Sequence, residues 1–92
     1  MKVNLYATFR QITGVKSILL DLPPGGRVRE VLAALVERFP ALHSHLLDET
    51  GEVHAHVHVF VNGRDILYLE KGPDTYLHAE DKLDIFPPVA GG

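Results

Sequence analysis

The chain has 92 residues, nine basic and twelve acidic side chains, a formal net charge of −3 and no cysteine. This length predicts one domain with a single core and no deep enclosed cavity. Because the basic residues are scattered, the composition argues against nucleic-acid and anionic-membrane partners. The lack of cysteine excludes disulfides and cysteine-ligated metals.

The N-terminal segment alternates polar and apolar residues, unlike the continuous apolar stretch of a signal peptide. The longest apolar run, residues 31–36, is far too short for a bilayer span of about 20 residues. We therefore expect a cytoplasmic protein.

A hairpin is predicted at the start of the chain. Residues 3–9 alternate apolar and polar side chains, which is typical of a half-buried strand. Residues 11–14 are interpreted as a turn, and residues 17–22 as a second strand. The segment Pro-Pro-Gly-Gly at 23–26 then ends this pattern.

Helical spacing of apolar residues follows over residues 28–39, with charged residues on the other face. Pro40 ends this helix, because proline disfavours helical geometry in the residue before it. The start of the helix has a poor N-cap, since Gly26 or Arg27 stands where serine or aspartate is preferred. A short helical turn is predicted around Leu42 and Leu46.

The second half of the chain is predicted to complete a mixed sheet. A strand over residues 57–61 is stopped by the turn pair Asn62-Gly63, residues 64–66 pair back, and residues 82–86 form the last strand. Residues 67–80 are interpreted as irregular. The order of elements predicts an α+β domain with one main helix packed across one face of the sheet. The other face is then left for solvent or a partner.

The C-terminal residues differ from this domain in character. Pro87 and Pro88 have no amide donor and cannot extend the sheet, so residues 1–86 are predicted to form the domain and residues 87–92 a flexible tail. Six extended residues reach about 20 Å, enough to enter the active site of another protein. Gly91 and Gly92 lack a Cβ atom, so they suit a narrow channel and leave the last carbonyl carbon unhindered.

The ending Ile-Phe-Pro-Pro-Val-Ala-Gly-Gly at 85–92, the triplet Val-Asn-Gly at 61–63 and an opening strand followed by Arg10 resemble the MoaD/ThiS family. This family consists of sulfur carriers with the ubiquitin-like β-grasp fold. The ending is most similar to MoaD, the small subunit of molybdopterin synthase. The resemblance implies a β-grasp fold for this chain.

The resemblance also implies a function for Gly92. A ubiquitin-activating-like enzyme would adenylate its carboxylate with ATP, and a sulfur donor would convert it to a thiocarboxylate. The carrier would then deliver sulfur, together with the larger molybdopterin synthase subunit, to the pterin precursor of molybdenum cofactor. The chain itself would need no catalytic site and no permanently bound cofactor.

Three other functions remain open at this point. The chain could be a ubiquitin-like modifier joined through Gly92 to lysines, or a sulfur carrier for thiamine synthesis or tRNA thiolation. It could also be a plain interaction domain. The residues alone do not separate these functions.

Strand alternation predicts a partner surface on the uncovered face of the sheet. Tyr6, Phe60 and Phe86 are expected to form an aromatic patch beside the root of the tail, on the same face as Thr8, His58 and Asp84. Aromatic residues are enriched at protein interfaces. We expect the partner to contact this patch and also the tail residues Pro87, Pro88, Val89 and Ala90.

The histidines are the remaining candidates for chemistry. His54, His56 and His58 alternate and are predicted to share one strand face, with His43 and His45 near in sequence. Their spacing matches no known zinc pattern, and side chains two apart on a strand lie about 6–7 Å from each other. We interpret them as a solvated face without a metal. The acidic residues Asp74, Glu80, Asp81 and Asp84 are interpreted in the same way.

Overall fold

A computed structural model describes residues 1–88 and shows one five-stranded sheet with three α-helices. The strands are β1 (Lys2–Leu5), β2 (Ser17–Leu19), β3 (His58–Val61), β4 (Arg64–Asp65) and β5 (Lys82–Phe86). The helices are α1 (Thr8–Thr13), α2 (Val28–Arg38) and α3 (His43–Leu46), and short 3-10 turns span Pro40–Leu42, Ile66–Tyr68 and Gly72–Asp74.

The sheet is mixed, with the strand order β2-β1-β5-β3-β4. The two strands β1 and β5, which come from opposite ends of the chain, run parallel at its centre, and every other neighbouring pair is antiparallel. This arrangement confirms the predicted α+β fold with a mixed sheet.

The core lies between α2 and one face of the sheet. Four apolar residues of α2 are at most 1% exposed: Val28, Val31, Leu32 and Leu35. Alternate strand residues meet them from the sheet and are fully buried: Val3, Leu5, Val59, Leu83 and Ile85. Full burial of such a side chain stabilises the folded state by about 1.5–3 kcal/mol. The predicted main helix across one face is therefore confirmed, and the opposite face of the sheet is left open.

The start of α2 has a backbone hydrogen bond that its poor N-cap residue does not suggest. Arg27 occupies the N-cap position and its side chain accepts no hydrogen bond, but Glu30 reaches back to accept one from the Arg27 backbone amide. Glu30 also pairs with the Arg27 side chain at 2.9 Å. On the same helix, Arg29 pairs with Glu52 at 3.1 Å and with Asp74, which ties two loops to α2.

The prediction of a strand over residues 3–9 is wrong in its second half. The strand ends at Leu5, and residues from Thr8 onward form α1, which ends at a left-handed Gly14. Ala7 takes a φ of 51°, which turns the chain out of the sheet. Leu5 and Phe9 both enter the core, Phe9 from the helix, and this spacing of apolar residues suits either element over so short a segment. Residues 11–14, predicted as a turn, are the end of α1 and its cap.

The prediction that three histidines share a strand face is also wrong. Only His58 lies on β3, because the chain turns between His54 and Val57, whose amide donates to the His54 carbonyl at 3.0 Å. The ring of His54 instead lies 3.1 Å from the Ser44 carbonyl oxygen. Turns therefore separate these side chains.

The turn at Asn62-Gly63 is confirmed. Both residues have positive φ angles, 51° and 86°, the geometry of a tight hairpin turn, and β4 pairs back with β3 after it. Residues 67–80, predicted to be irregular, contain the end of the 3-10 turn Ile66–Tyr68 and the whole of the turn Gly72–Asp74.

Pro87 and Pro88 follow β5 without joining a helix or strand. Most of the predicted tail, namely Val89, Ala90, Gly91 and Gly92, lies outside the described residues. Within residues 1–88, no helix has the length and apolar character needed to cross a membrane.

Candidate functional site

The open face of the sheet is built from the strand positions that alternate with the core. Leu83 and Ile85 of β5 are fully buried, so Lys82, Asp84 and Phe86 face away from α2. Across the sheet, Phe86 is the register partner of His58. These charged and aromatic side chains therefore lie on the face of the sheet that no helix covers.

Three aromatic rings pack together where β5 ends, and we call them the aromatic cluster: Tyr6, Phe60 and Phe86. The Tyr6 and Phe86 rings are stacked with centroids 4.1 Å apart and planes 10° apart. Phe60 meets Phe86 edge-on at 5.5 Å. The sequence predicted this association, and the structure brings the three residues together. Their contact with a partner stays a prediction.

Tyr6 is held in the cluster by hydrogen bonds as well as by stacking. Its hydroxyl donates to Asp84 Oδ1 at 2.9 Å, and the side-chain amide of Asn4 donates to the same oxygen at 2.9 Å. The hydrogen bond to this carboxylate raises the pKa of Tyr6 above its usual value, because the bond exists only while the phenol is protonated. Asp84, interpreted from sequence as solvated, is therefore a positioning residue for Tyr6.

Arg10 also packs over the Tyr6 ring. Its guanidinium carbon lies 4.7 Å from the centroid of the Tyr6 ring, and its Nε donates to the Leu5 carbonyl oxygen. Such a cation–π contact contributes about 0.5–1 kcal/mol at an exposed site. Arg10 reaches the Tyr6 ring because α1 turns the chain back. The prediction of a continuous strand could not show it.

A largely apolar groove runs beside the cluster toward the first residues of the predicted tail. Its lining residues come from four parts of the chain: Ala7, Thr8, His58, Phe60, Asp65, Tyr68, Phe86, Pro87 and Pro88. Tyr68 forms one wall and is 87% exposed. Sequence reasoning missed Tyr68, since the only signal was a single aromatic in a segment without periodicity.

Asp65 organises the wall of this groove. One of its carboxylate oxygens lies 3.1 Å from Nδ1 of His58, and the other accepts a hydrogen bond from the Leu67 amide at 2.9 Å. The second bond caps the 3-10 turn that carries Tyr68. His58 and Tyr68 are thus positioned on the two sides of a single carboxylate.

The remaining histidines and carboxylates do not converge. Within residues 1–88, no group of three or more histidine, aspartate or glutamate side chains is arranged to hold a metal ion. Asp81 accepts a hydrogen bond from the His78 amide, which lowers the pKa of its carboxyl. Asp74 pairs with Arg29, which lowers its pKa as well. Asp74, Asp81 and Asp84 are thus each engaged in separate local contacts.

Comparison with known proteins identifies a matching family and several relatives of this chain. A family model described as the ThiS family matches residues 3–92. Small archaeal modifier protein 3 of Haloferax volcanii is 38% identical over 92 residues, which cover 100% of this chain and 98% of the relative. The molybdopterin synthase sulfur carrier subunit of Arabidopsis thaliana is 32% identical, over 100% of this chain and 82% of the relative.

Solved structures of similar proteins match this chain over almost its whole length. The crystal structure of SAMP1 from Haloferax volcanii has a TM-score of 0.86 and 31% identity, covering 99% of this chain and 97% of that one. A chain in the crystal structure of the Amycolatopsis orientalis BexX/CysO complex has a TM-score of 0.80 and 28% identity, covering 99% and 98%. The β-grasp sheet and the match over residues 3–92 show that this chain belongs to the ThiS family of ubiquitin-like sulfur carriers and modifiers.

Proposed function

We propose that this chain is a ubiquitin-like protein modifier whose Gly92 carboxylate is activated by a partner enzyme and joined to lysine amines of target proteins. The observation that carries this proposal is the 38% identity, over the full length, with small archaeal modifier protein 3. The aromatic cluster at the end of β5 supports it, because it offers an enzyme a surface beside the segment that leads to Gly92.

The chemistry requires an outside enzyme for a simple reason. A free carboxylate is a poor electrophile, because its negative charge and resonance oppose attack. In the proposed reaction the Gly92 carboxylate attacks the α-phosphate of ATP, forms an acyl adenylate and releases pyrophosphate. A lysine amine then attacks the carbonyl carbon, loses a proton and expels AMP. The partner supplies the ATP site, so the chain needs no permanently bound cofactor.

The described residues would act as a rigid handle in this reaction. Phe86 is the last residue of a central strand and is held by Tyr6 on one side and Phe60 on another. An enzyme that binds the aromatic cluster therefore binds a surface whose distance to residue 87 is set by the sheet. This pre-organisation lowers the entropy cost of guiding the terminal carboxylate to the ATP site.

A second candidate function is sulfur transfer, in which the adenylate is converted to a thiocarboxylate on Gly92. The similarity to the Arabidopsis thaliana molybdopterin synthase sulfur carrier subunit favours it. The likeness to a chain of the BexX/CysO complex is consistent with docking on a larger enzyme. Molybdopterin synthesis, with its larger synthase subunit, is then one destination of the sulfur. Thiamine synthesis and tRNA thiolation are others.

Mass spectrometry of the protein purified from its own host tests both candidates. Because Lys82 is the last basic residue, trypsin would leave residues 83–92 as a branch on a modified lysine, and this branch identifies conjugates. A thiocarboxylate would instead appear in the intact protein as replacement of one oxygen by sulfur. A chain that lacks Gly92 is the matched control and should show neither product.

The outcomes separate the functions. Branched lysines that disappear on deletion of Gly92 support the modifier, and a thiocarboxylate without branches supports the sulfur carrier. If the deletion leaves cellular activity intact and neither product forms, the chain acts as a plain interaction domain and the proposal is refuted.

A further inference from the structure

The open face continues beyond the aromatic cluster to a cationic end. Lys2 of β1 and Lys82 of β5 are register partners, both are exposed, and both face away from α2. Like charges directly opposite each other on neighbouring strands destabilise a sheet. We call these two residues the lysine pair.

The usual structural reasons for strand lysines do not account for this pair. Lysines often protect the edges of a sheet from unwanted pairing, but β1 and β5 lie inside the sheet, and its edges are β2 and β4. The Nζ atom of Lys82 lies 4.0 Å from Asp84 Oδ2. In the described part of the chain, no carboxylate lies within 4.0 Å of the Lys2 ammonium group. The repulsion is thus compensated only in part.

An apolar side chain borders the lysine pair. Leu19 of the edge strand β2 is the register partner of Lys2 and is 76% exposed. The far end of the open face therefore combines two cations with one exposed aliphatic residue. Such a combination fits a partner surface that offers carboxylates around an apolar contact.

The distance to the aromatic cluster allows one partner to cover both regions. Lys82 and Phe86 are four residues apart on β5, which corresponds to about 13 Å. An interface of standard size buries about 800 Å² on each partner, a patch about 30 Å across. If such a patch is centred on the aromatic cluster, the lysine pair lies at its rim.

We infer that the enzyme that docks on the aromatic cluster presents acidic side chains to Lys2 and Lys82. This inference rests on the proposed function, since it takes the activating enzyme as the partner. The chain carries a net charge of −3, so an acidic partner is repelled at long range, and the lysine pair supplies local attraction in one orientation only. Charges at a rim act mainly on association and are screened by salt.

ATP–pyrophosphate exchange by the purified adenylating enzyme of the same host tests this inference, with the full chain as substrate. The double variant K2E/K82E should raise KM about tenfold at low salt with kcat unchanged, and the difference should largely vanish at about 0.5 M salt. The control R38E/K71E changes the net charge equally. Its sites lie on α2 and beside the turn that packs on α2, and its KM should stay within about twofold of the wild type.

The results distinguish this inference from the proposed function. If the wild-type chain supports no exchange, activation at Gly92 is refuted, and the inference falls with it. If exchange proceeds and K2E/K82E behaves like the control, or its defect persists at high salt, only the acidic partner surface is refuted. Circular dichroism of each variant verifies that the fold is retained.

Discussion

The two faces of the same sheet perform different tasks. On the face covered by α2, aliphatic side chains such as Leu83 and Ile85 are fully buried and contribute stability. On the open face, the neighbouring residues Asp84 and Phe86 make hydrogen bonds and aromatic contacts that leave a surface for a partner. Because a strand alternates its side chains, one short segment separates stability from recognition residue by residue.

The largest effect is expected from a substitution in the core on the covered face. Ile85→Ala removes a fully buried side chain and leaves a cavity, so the free energy of unfolding should fall by about 2–5 kcal/mol. Urea unfolding followed by circular dichroism measures this change. A loss below about 1 kcal/mol would show that the covered face is not the main source of stability.

Substitution of the next residue tests the open face. Phe86→Ala removes the stacking with Tyr6 and the edge contact with Phe60, which costs about 1 kcal/mol of stability. The KM for activation by the adenylating enzyme should rise about tenfold or more, because aromatic anchors dominate interfaces. An unchanged KM in a folded Phe86→Ala protein would contradict a docking role for the aromatic cluster.

A smaller effect concerns the hydrogen bond between Tyr6 and Asp84. Tyr6→Phe should reduce the free energy of unfolding by about 0.5–1.5 kcal/mol at neutral pH. Since the folded pKa of Tyr6 lies above 10.0, its usual value, this stability is present below pH 10 and is lost as pH rises through the folded pKa.

Ultraviolet titration of tyrosinate checks the assignment of that shift. Asp84→Asn should move the pKa of Tyr6 back toward its usual value, because the carboxylate that favours the protonated phenol is gone. Tyr6→Phe identifies the signal that belongs to this residue. A titration curve that Asp84→Asn leaves unchanged would exclude the carboxylate as the cause.

The smallest effect has the opposite sign. Lys2→Glu places a carboxylate opposite Lys82 and should raise the free energy of unfolding by about 0.2–1 kcal/mol. Thermal unfolding at low and high salt measures this gain, which should shrink as salt increases. A destabilised Lys2→Glu protein would show that the lysine pair carries no repulsion.

Much of the site follows from local patterns in the sequence. Alternation over residues 82–86 indicated that Phe86 shares a face with Asp84, and alternation over residues 57–61 indicated that Phe60 lies on the same face. The pair Asn62-Gly63 indicated the turn, because few other residues accept two positive φ angles in succession. These predictions succeeded because each depends on neighbours within a few residues.

Local sequence patterns did not predict three other features of the structure. Apolar residues at positions 5, 7 and 9 fit either a strand or the start of a helix, so the backbone turn at Ala7 was not foreseen. The alternation of the histidines predicted a shared strand face, but the turn that begins at His54 separates them. Tyr68 had no periodic neighbours, and its place beside the groove depends on the bond from Asp65 to Leu67.

The sequence by itself determined the composition of the two faces, the main helix and the membership of the chain in its family. Only the tertiary structure decided that Arg10 covers Tyr6, that Tyr68 lines the same groove as Phe86, and that Lys2 stands opposite Lys82. For Lys2 and Lys82 the physical reason is the parallel pairing of β1 with β5, which joins residues about 80 positions apart. Local propensity cannot predict a contact at that separation, because burial of the shared core and hydrogen bonds between β1 and β5 hold those strands together.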